Sequence, residues 1–177
     1  RRVTIAVEGV NNPPSFDLDI SSVSVAEDSG PYSQAVISSI SPGPADESGQ
    51  TVSFDIADLT AEQTALFAAQ PTINSDGVLQ FTTAVHQNTV LSGPVVLTVT
   101  ARDSEGGLGE PVEISIAVSE ENDAPVAVDD TLLDTDEDSL VIIPQTLLLS
   151  NDIDPDLLTN DNEALSVVLS NNSSAFG

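Results

Sequence analysis

Two stretches of this 177-residue chain repeat one another at a distance. Residues 3 to 14 read VTIAVEGVNNPP, and residues 114 to 125 read ISIAVSEENDAP. Laid over each other, Ile5 meets Ile116, Ala6 meets Ala117 and Val7 meets Val118, then Asn11 meets Asn122, Asn12 meets Asp123 and Pro14 meets Pro125. A second pair follows in the same order: AEDS at 26 to 29 meets DEDS at 136 to 139. Two motifs in one order at nearly one offset define a repeat of roughly 110 residues. The chain then divides into the tail of one unit (1–12), a complete unit (13–123) and part of the next (124–177).

The complete unit carries the period of β-strands. TVSFDIA (51–57), GVLQFTT (77–83), PVVLTVTARD (94–103) and PVEISIAVS (111–119) alternate apolar and polar residues, as strands with one buried face do. Ser75-Asp76-Gly77, Ser92-Gly93-Pro94 and Gly106-Gly107 mark turns between them. RRVTIAVEGV (1–10) also has the pattern of a strand. One segment departs from the rule. In TAEQTALFAAQP, Thr60 is followed by Gln63 as in a capping box, and Pro71 ends the run. The expectation is a short helix over 60–70 whose Leu66 and Phe67 cover one end of the core. The fold class expected is all-β: sandwich units in tandem, with one short helix in the complete unit.

Composition limits the chemistry. The chain has 29 acids against three basic residues, Arg1, Arg2 and Arg102, for a net charge of -26. Nucleic acid and anionic membrane surfaces need positive charge to recruit a protein, so neither is an expected partner. Cysteine is absent, which removes disulfides and thiolate metal sites. No run approaches the ~20 apolar residues of a membrane helix. Hydrophobic residues make up 40% of the chain, enough for a core, and aromatics only 3%, so an aliphatic core is expected. Carboxylates at this density repel one another and must be offset, by divalent cations or by a salt-rich medium.

The acids gather where strands end. Glu120, Glu121, Asn122 and Asp123 stand at the seam between units. Glu27 and Asp28 lie near the start of the complete unit, Asp46 and Glu47 in the loop SPGPADESGQ, and Asp103 at the end of a strand. SNDIDPD adds Asp152, Asp154 and Asp156. A hard cation such as calcium takes six to eight oxygen ligands, more than one of these loops offers, so converging loops are required. Acids in loops are more often merely solvated; their recurrence at matching places in a repeat favours the cation. The run from Asp152 to Glu163 has EF-hand spacing, but Leu157 stands where the invariant glycine belongs and Pro155 precedes Asp156, so no EF-hand is expected.

LTVTARDSEGG, SEENDAP and ADESGQTVSFDI resemble the cadherin pieces with Ala-x-Asp at a strand end, the Asp-x-Asn-Asp-Asn-Ala-Pro linker and the Asp-Ala-Asp-Ser-Gly loop. NDAPVAVDD, then EDS and SNDIDPD, is similar to the bacterial cadherin-like (tandem Ig-like, VCBS-type) repeats of large surface adhesins, many secreted by type I systems. The resemblance covers nearly the whole chain. It implies calcium between consecutive units. An upper site would draw on Asn11, Asn12, Asp46 or Glu47, and Asp103. A lower site would draw on Glu27, Glu120 or Glu121, Asn122, Asp123, Asp154 and Asp156. This chain departs from the family in four ways. Its linker is one residue shorter than in animal cadherins. Asn12 replaces an Asp, and AVHQNTV replaces a segment that would bring two more carboxylates. The last unit lacks its own strand-end Asp.

No enzyme is expected. His86 is the single histidine, set in a polar, strand-like run without a nucleophile motif. Paired carboxylates can hydrolyse glycosides, but Tyr32 and five Phe are all the aromatics available for a sugar platform. The implied function is a calcium-rigidified, extracellular spacer repeat of a bacterial adhesin, secreted to the cell surface, with adjacent repeats of the same chain as partners. Two alternatives stand beside it: a module that binds a protein or glycan ligand, and a halophile domain whose acids need salt but no specific ion.

Overall fold

The strict alternation of residues 95–103 anchors the largest sheet. The computed structural model describes residues 1–5, 9–131, 142–156 and 164–168. They form two units, Arg1–Glu121 and Asn122–Gly177, each taken by itself below.

In the first unit the strands are β1 (Ser15–Leu18), β2 (Ser22–Ala26), β3 (Pro31–Ala35), β4 (Ile37–Ser41), β5 (Val52–Ile56), β6 (Phe67–Ile73), β7 (Val78–Thr83), β8 (Val95–Asp103) and β9 (Val112–Ser119). One short helix, α1 (Ala61–Ala65), lies between β5 and β6. A four-stranded sheet has the order β2-β9-β8-β5, a three-stranded sheet β3-β7-β6, and β1 pairs with β4. All pairings are antiparallel except β2 with β9, which run parallel. This is the β-sandwich with one short helix that the alternation predicts.

The core lies where the strand faces meet. Val95, Leu97, Val99 and Ala101 of β8 and Ile114, Ile116 and Val118 of β9 are all buried, while their neighbours in sequence point outward. The core is not purely aliphatic. Phe54, Phe67 and Phe81 are buried in it; Phe67 packs edge-on against Phe81, and Phe16 against Phe54. Phe16 and Tyr32 are half-buried against this core.

Three sequence expectations are corrected. The helix stops at Ala65, and residues 67–73 are strand β6, which runs through Pro71. The capping box does form: Thr60 Oγ1 accepts from the Gln63 amide at 3.2 Å, and Gln63 Oε1 accepts from the Thr60 amide at 2.9 Å. Five residues cannot outweigh tertiary pairing with β7, so Leu66 and Phe67 are buried as expected but at a strand's start. Among the described residues, 1–5 form no strand, and Val3 and Ile5 are exposed. His86 sits in a turn with φ 54°, not in a strand.

In the second unit, Val126 and Ile153 form an antiparallel bridge, each amide donating to the other's carbonyl at 2.7 and 3.0 Å. A short helix, α2 (Gln145–Leu148), precedes it. The DEDS motif at 136–139 lies outside the described residues, as does most of the 152–163 run.

Candidate metal centre

Glu47 ends a single 3-10 turn, Ala45–Glu47, entered through Pro42-Gly43-Pro44. The two prolines restrict the approach, and the Glu47 amide donates back to the Pro44 carbonyl at 2.9 Å. This turns the side chain inward, where Glu47 is only 6% exposed. Oε1 accepts the Asn12 backbone amide at 2.7 Å. Oε2 is buried and has no hydrogen-bond partner. An ionised carboxylate oxygen left in that state is costly unless something positive meets it.

Asp103 closes the cluster from the end of β8. It is 3% exposed. Oδ1 accepts the amides of Glu105 and Gly107, both at 2.9 Å, and Oδ2 accepts from Asn11 Nδ2 at 3.1 Å. Burial pushes the Asp103 carboxyl up; the donors Gly107, Asn11, Glu105 and Gly106 outweigh it, so the group is held below the usual carboxylate range. Asn11 is itself oriented by Gln50, whose Nε2 donates to Asn11 Oδ1 at 2.8 Å. The Gln50 side-chain oxygen is buried and unpartnered.

The Asn12 side-chain amide, oriented with its nitrogen inward, donates to Glu47 Oε1 at 3.2 Å and to the Val10 carbonyl at 3.0 Å. Two glycines make room for the carboxylates themselves. A Cβ on Gly43, which has φ 151°, would run into Glu47 Oε2, and one on Gly107 into Asp103 Oδ2 and Asn11 Nδ2. No basic side chain pairs with Glu47 or Asp103 among the described residues; Arg102 is engaged with Asp55 at 2.8 Å. Two buried carboxylates, one of them with an unpartnered oxygen, beside side-chain amide oxygens fit a hard divalent cation such as calcium.

Five of the sequence-derived candidates fall in this region. Asn11, Asn12, Glu47 and Asp103 are brought together; Asp46 is exposed, its Oδ2 near Gly9. At the other end of the unit, Glu27 is 2% exposed. It accepts the Glu121 amide at 3.0 Å, and Asn88 Nδ2 lies 3.3 Å from both of its oxygens. Here protein donors already satisfy the carboxylate. Thr89 pins the Asn88 loop to β9 through three bonds with Val118, and His86 Nδ1 lies 3.5 Å from Asp28 Oδ2. Glu120 is half-buried and Glu121 exposed.

The second unit contains the remaining candidates. The Asp123 amide donates to Asp156 Oδ2 at 2.5 Å, the Asp156 amide to Asp154 Oδ1 at 3.1 Å, and Asn122 Nδ2 to the Asp123 carbonyl at 3.0 Å. Asp156 is 2% exposed. Asp123 is the repeat partner of Asn12. In both units, therefore, the same linker position donates its amide to a buried carboxylate, Glu47 in one and Asp156 in the other.

Sequence reasoning passed over Gln50, Asn88, Gly43 and Gly107. Gln50 stood in the acidic loop already singled out, but it is neutral, and a search for charge does not see it. Asn88 lay in the run noted only for lacking carboxylates.

The chain is similar in fold to solved cadherin structures. Protocadherin Gamma B2 extracellular cadherin domains 1-5 align at TM-score 0.46 and 17% identity, covering 70% of this chain and 22% of that one. The Protocadherin GammaB4 extracellular domain aligns at 0.44 and 23%, covering 76% and 21%. The third cadherin domain from human protocadherin 7 aligns at 0.40 and 17%, covering 69% and 98%. The chain thus spans about a fifth of the first two of these structures. No protein-family profile matches it, and no curated protein does. Among the described residues no helix is long and apolar enough to cross a membrane.

Proposed function

We propose that this chain is a calcium-binding spacer repeat of an extracellular, bacterial adhesin, built from cadherin-like units whose joints are stiffened by calcium. The observation that carries the reading is the buried, unpartnered Glu47 Oε2, packed against Gly43 where no side chain would fit. The amide-to-carboxylate bond that recurs at Asn12–Glu47 and Asp123–Asp156 supports a repeating joint. Asn11, Asn12, Glu47 and Asp103 hold the cation in the first unit. Glu120, Glu121, Asn122 and Asp123 make up the second linker, and Asp154 and Asp156 lie in the unit that follows. Stiffening there rests on the linker sequence: Glu120, Glu121 and Asp123 repel one another until a cation neutralises them. Each such pair costs only about 1 kcal/mol at 4 Å in water, and more where solvent is excluded.

Calcium titration followed by melting tests the reading. A ligand that binds only the native state adds RT ln(1 + [L]/Kd), about 2.7 kcal/mol at a hundredfold excess over Kd. Millimolar calcium is expected to raise Tm clearly, and sodium at equal ionic strength is not. Equal responses would favour the salt-requiring alternative. A Glu-specific protease gives an independent readout at the linker: calcium is expected to slow cleavage after Glu120 and Glu121.

A further inference from the structure

We propose that the cluster at Asn11, Glu47 and Asp103 holds a single divalent cation, and that Gln50 binds it directly through Oε1. This rests on the reading of that cluster as a metal centre.

The number of ions follows from charge. Glu47 and Asp103 are the two buried carboxylates of the cluster, and together they balance one divalent ion. Asp46, the remaining acid of the loop, is exposed and stays solvated. A second ion would have to be held by neutral oxygens alone in a partly buried space, which leaves its charge uncompensated.

The role of Gln50 follows from a hydrogen-bond chain with a fixed direction. Gln50 Nε2 donates to Asn11 Oδ1, and Asn11 Nδ2 donates to Asp103 Oδ2. The carboxylate can only accept, so Asn11 must present its nitrogen to Asp103 and its oxygen to Gln50. Gln50 must then present its nitrogen to Asn11. Turning its amide over would set two oxygens against each other. The chain therefore dictates which way the Gln50 oxygen points, and that oxygen is buried without a donor. A buried, unpartnered carboxylate oxygen, Glu47 Oε2, belongs to the same tight turn, in which the Gln50 backbone amide donates to the Glu47 carbonyl at 2.9 Å. Two orphaned oxygens three residues apart have one common remedy, a cation that accepts both. Neutral amide oxygens beside two carboxylates suit calcium, which tolerates many oxygen ligands and irregular geometry, better than magnesium, which demands a near-octahedral shell and keeps its waters.

The test is isothermal titration of the full chain with calcium chloride, comparing the wild type with Glu47→Gln, Gln50→Leu and Gln50→Glu. Melting without calcium checks that each variant folds. Glu47→Gln is expected to remove one ion from the stoichiometry. Gln50→Leu is expected to weaken that ion's binding about tenfold or more, since even outer-shell losses cost about 10–100-fold, and Gln50→Glu to restore it. In the wild type, the Gln50 side-chain amide resonances should shift as calcium is added. Loss of one ion in Glu47→Gln with unchanged affinity in Gln50→Leu and unmoved Gln50 resonances overturns the ligand assignment and leaves the metal centre standing. Loss of more than one ion overturns the single-cation count. Unchanged stoichiometry in Glu47→Gln overturns the metal centre itself.

Discussion

At the scale of single residues, what distinguishes the candidate centre is space as much as charge. Gly43 combines φ 151° with a position where a Cβ would strike Glu47 Oε2. Gly43→Ala is therefore expected to lower calcium affinity while leaving the sandwich folded, because the loop can shift but the carboxylate can no longer stay where it is. Titration with calcium, alongside circular dichroism, reads both effects. Gly49→Ala is the control, since a Cβ there meets nothing within 4 Å. Tyr32 offers a separate residue-level test. It stacks on Phe81 with centroids 4.7 Å apart, and burial raises its pKa above the ordinary 10.0. A raised folded-state pKa means the folded chain holds the phenolic proton more tightly than the unfolded one. The stability this contributes is complete below about pH 10 and is lost as pH rises through the folded-state value. Because Tyr32 is the single tyrosine, its phenolate absorbance is expected to titrate above pH 10 in buffer and near pH 10 in denaturant.

At the scale of elements, β8 and β9 carry the fold and α1 does not. Leu97 is fully buried at the centre of the four-stranded sheet, paired with Ile114. Leu97→Ala is expected to cost about 2–5 kcal/mol, the range for a buried Leu cut back to a cavity. Thr60→Ala removes the exposed cap of a helix only five residues long, and about 1 kcal/mol or less is expected. Denaturant melts of the two variants check the order; a larger loss at Thr60 would mean that the helix organises β6. The alternation of β5, β7, β8 and β9 was legible within a residue or two because each buries one continuous face. β6 was not, because its register with β7 shifts twice and Pro71 sits inside it. A strand of this kind exists only through its neighbour.

At the scale of the whole molecule, a net charge of -26 belongs to a chain whose first unit has an apolar core. The buried residues of the first unit are aliphatic and aromatic side chains drawn from both sheets, and burial of such surface contributes roughly 25 cal/mol per Å². Chelation is therefore expected to leave the β signal in circular dichroism in place at room temperature while lowering Tm. Complete loss of that signal on chelation would show that the cation is part of the fold rather than of the joint.

The sequence by itself determined the repeat, the β class and the loops where acids collect. These are local or periodic properties: alternation at period two, turn residues, and similarity between linear stretches. It also pointed to Glu47 and Asp103 as acids in a loop and at a strand end, and the resemblance to cadherin linkers added Asn11 and Asn12. Tertiary structure decided which of the acids are buried. Asp46 and Glu47 are adjacent in sequence, and one turn of 3-10 helix sends the first to solvent and the second into the protein. It also decided that Glu27 is satisfied by Asn88 while Glu47 is left with an unpartnered oxygen. Burial and hydrogen-bond completeness depend on atoms brought together from distant parts of the chain, and no linear pattern specifies them.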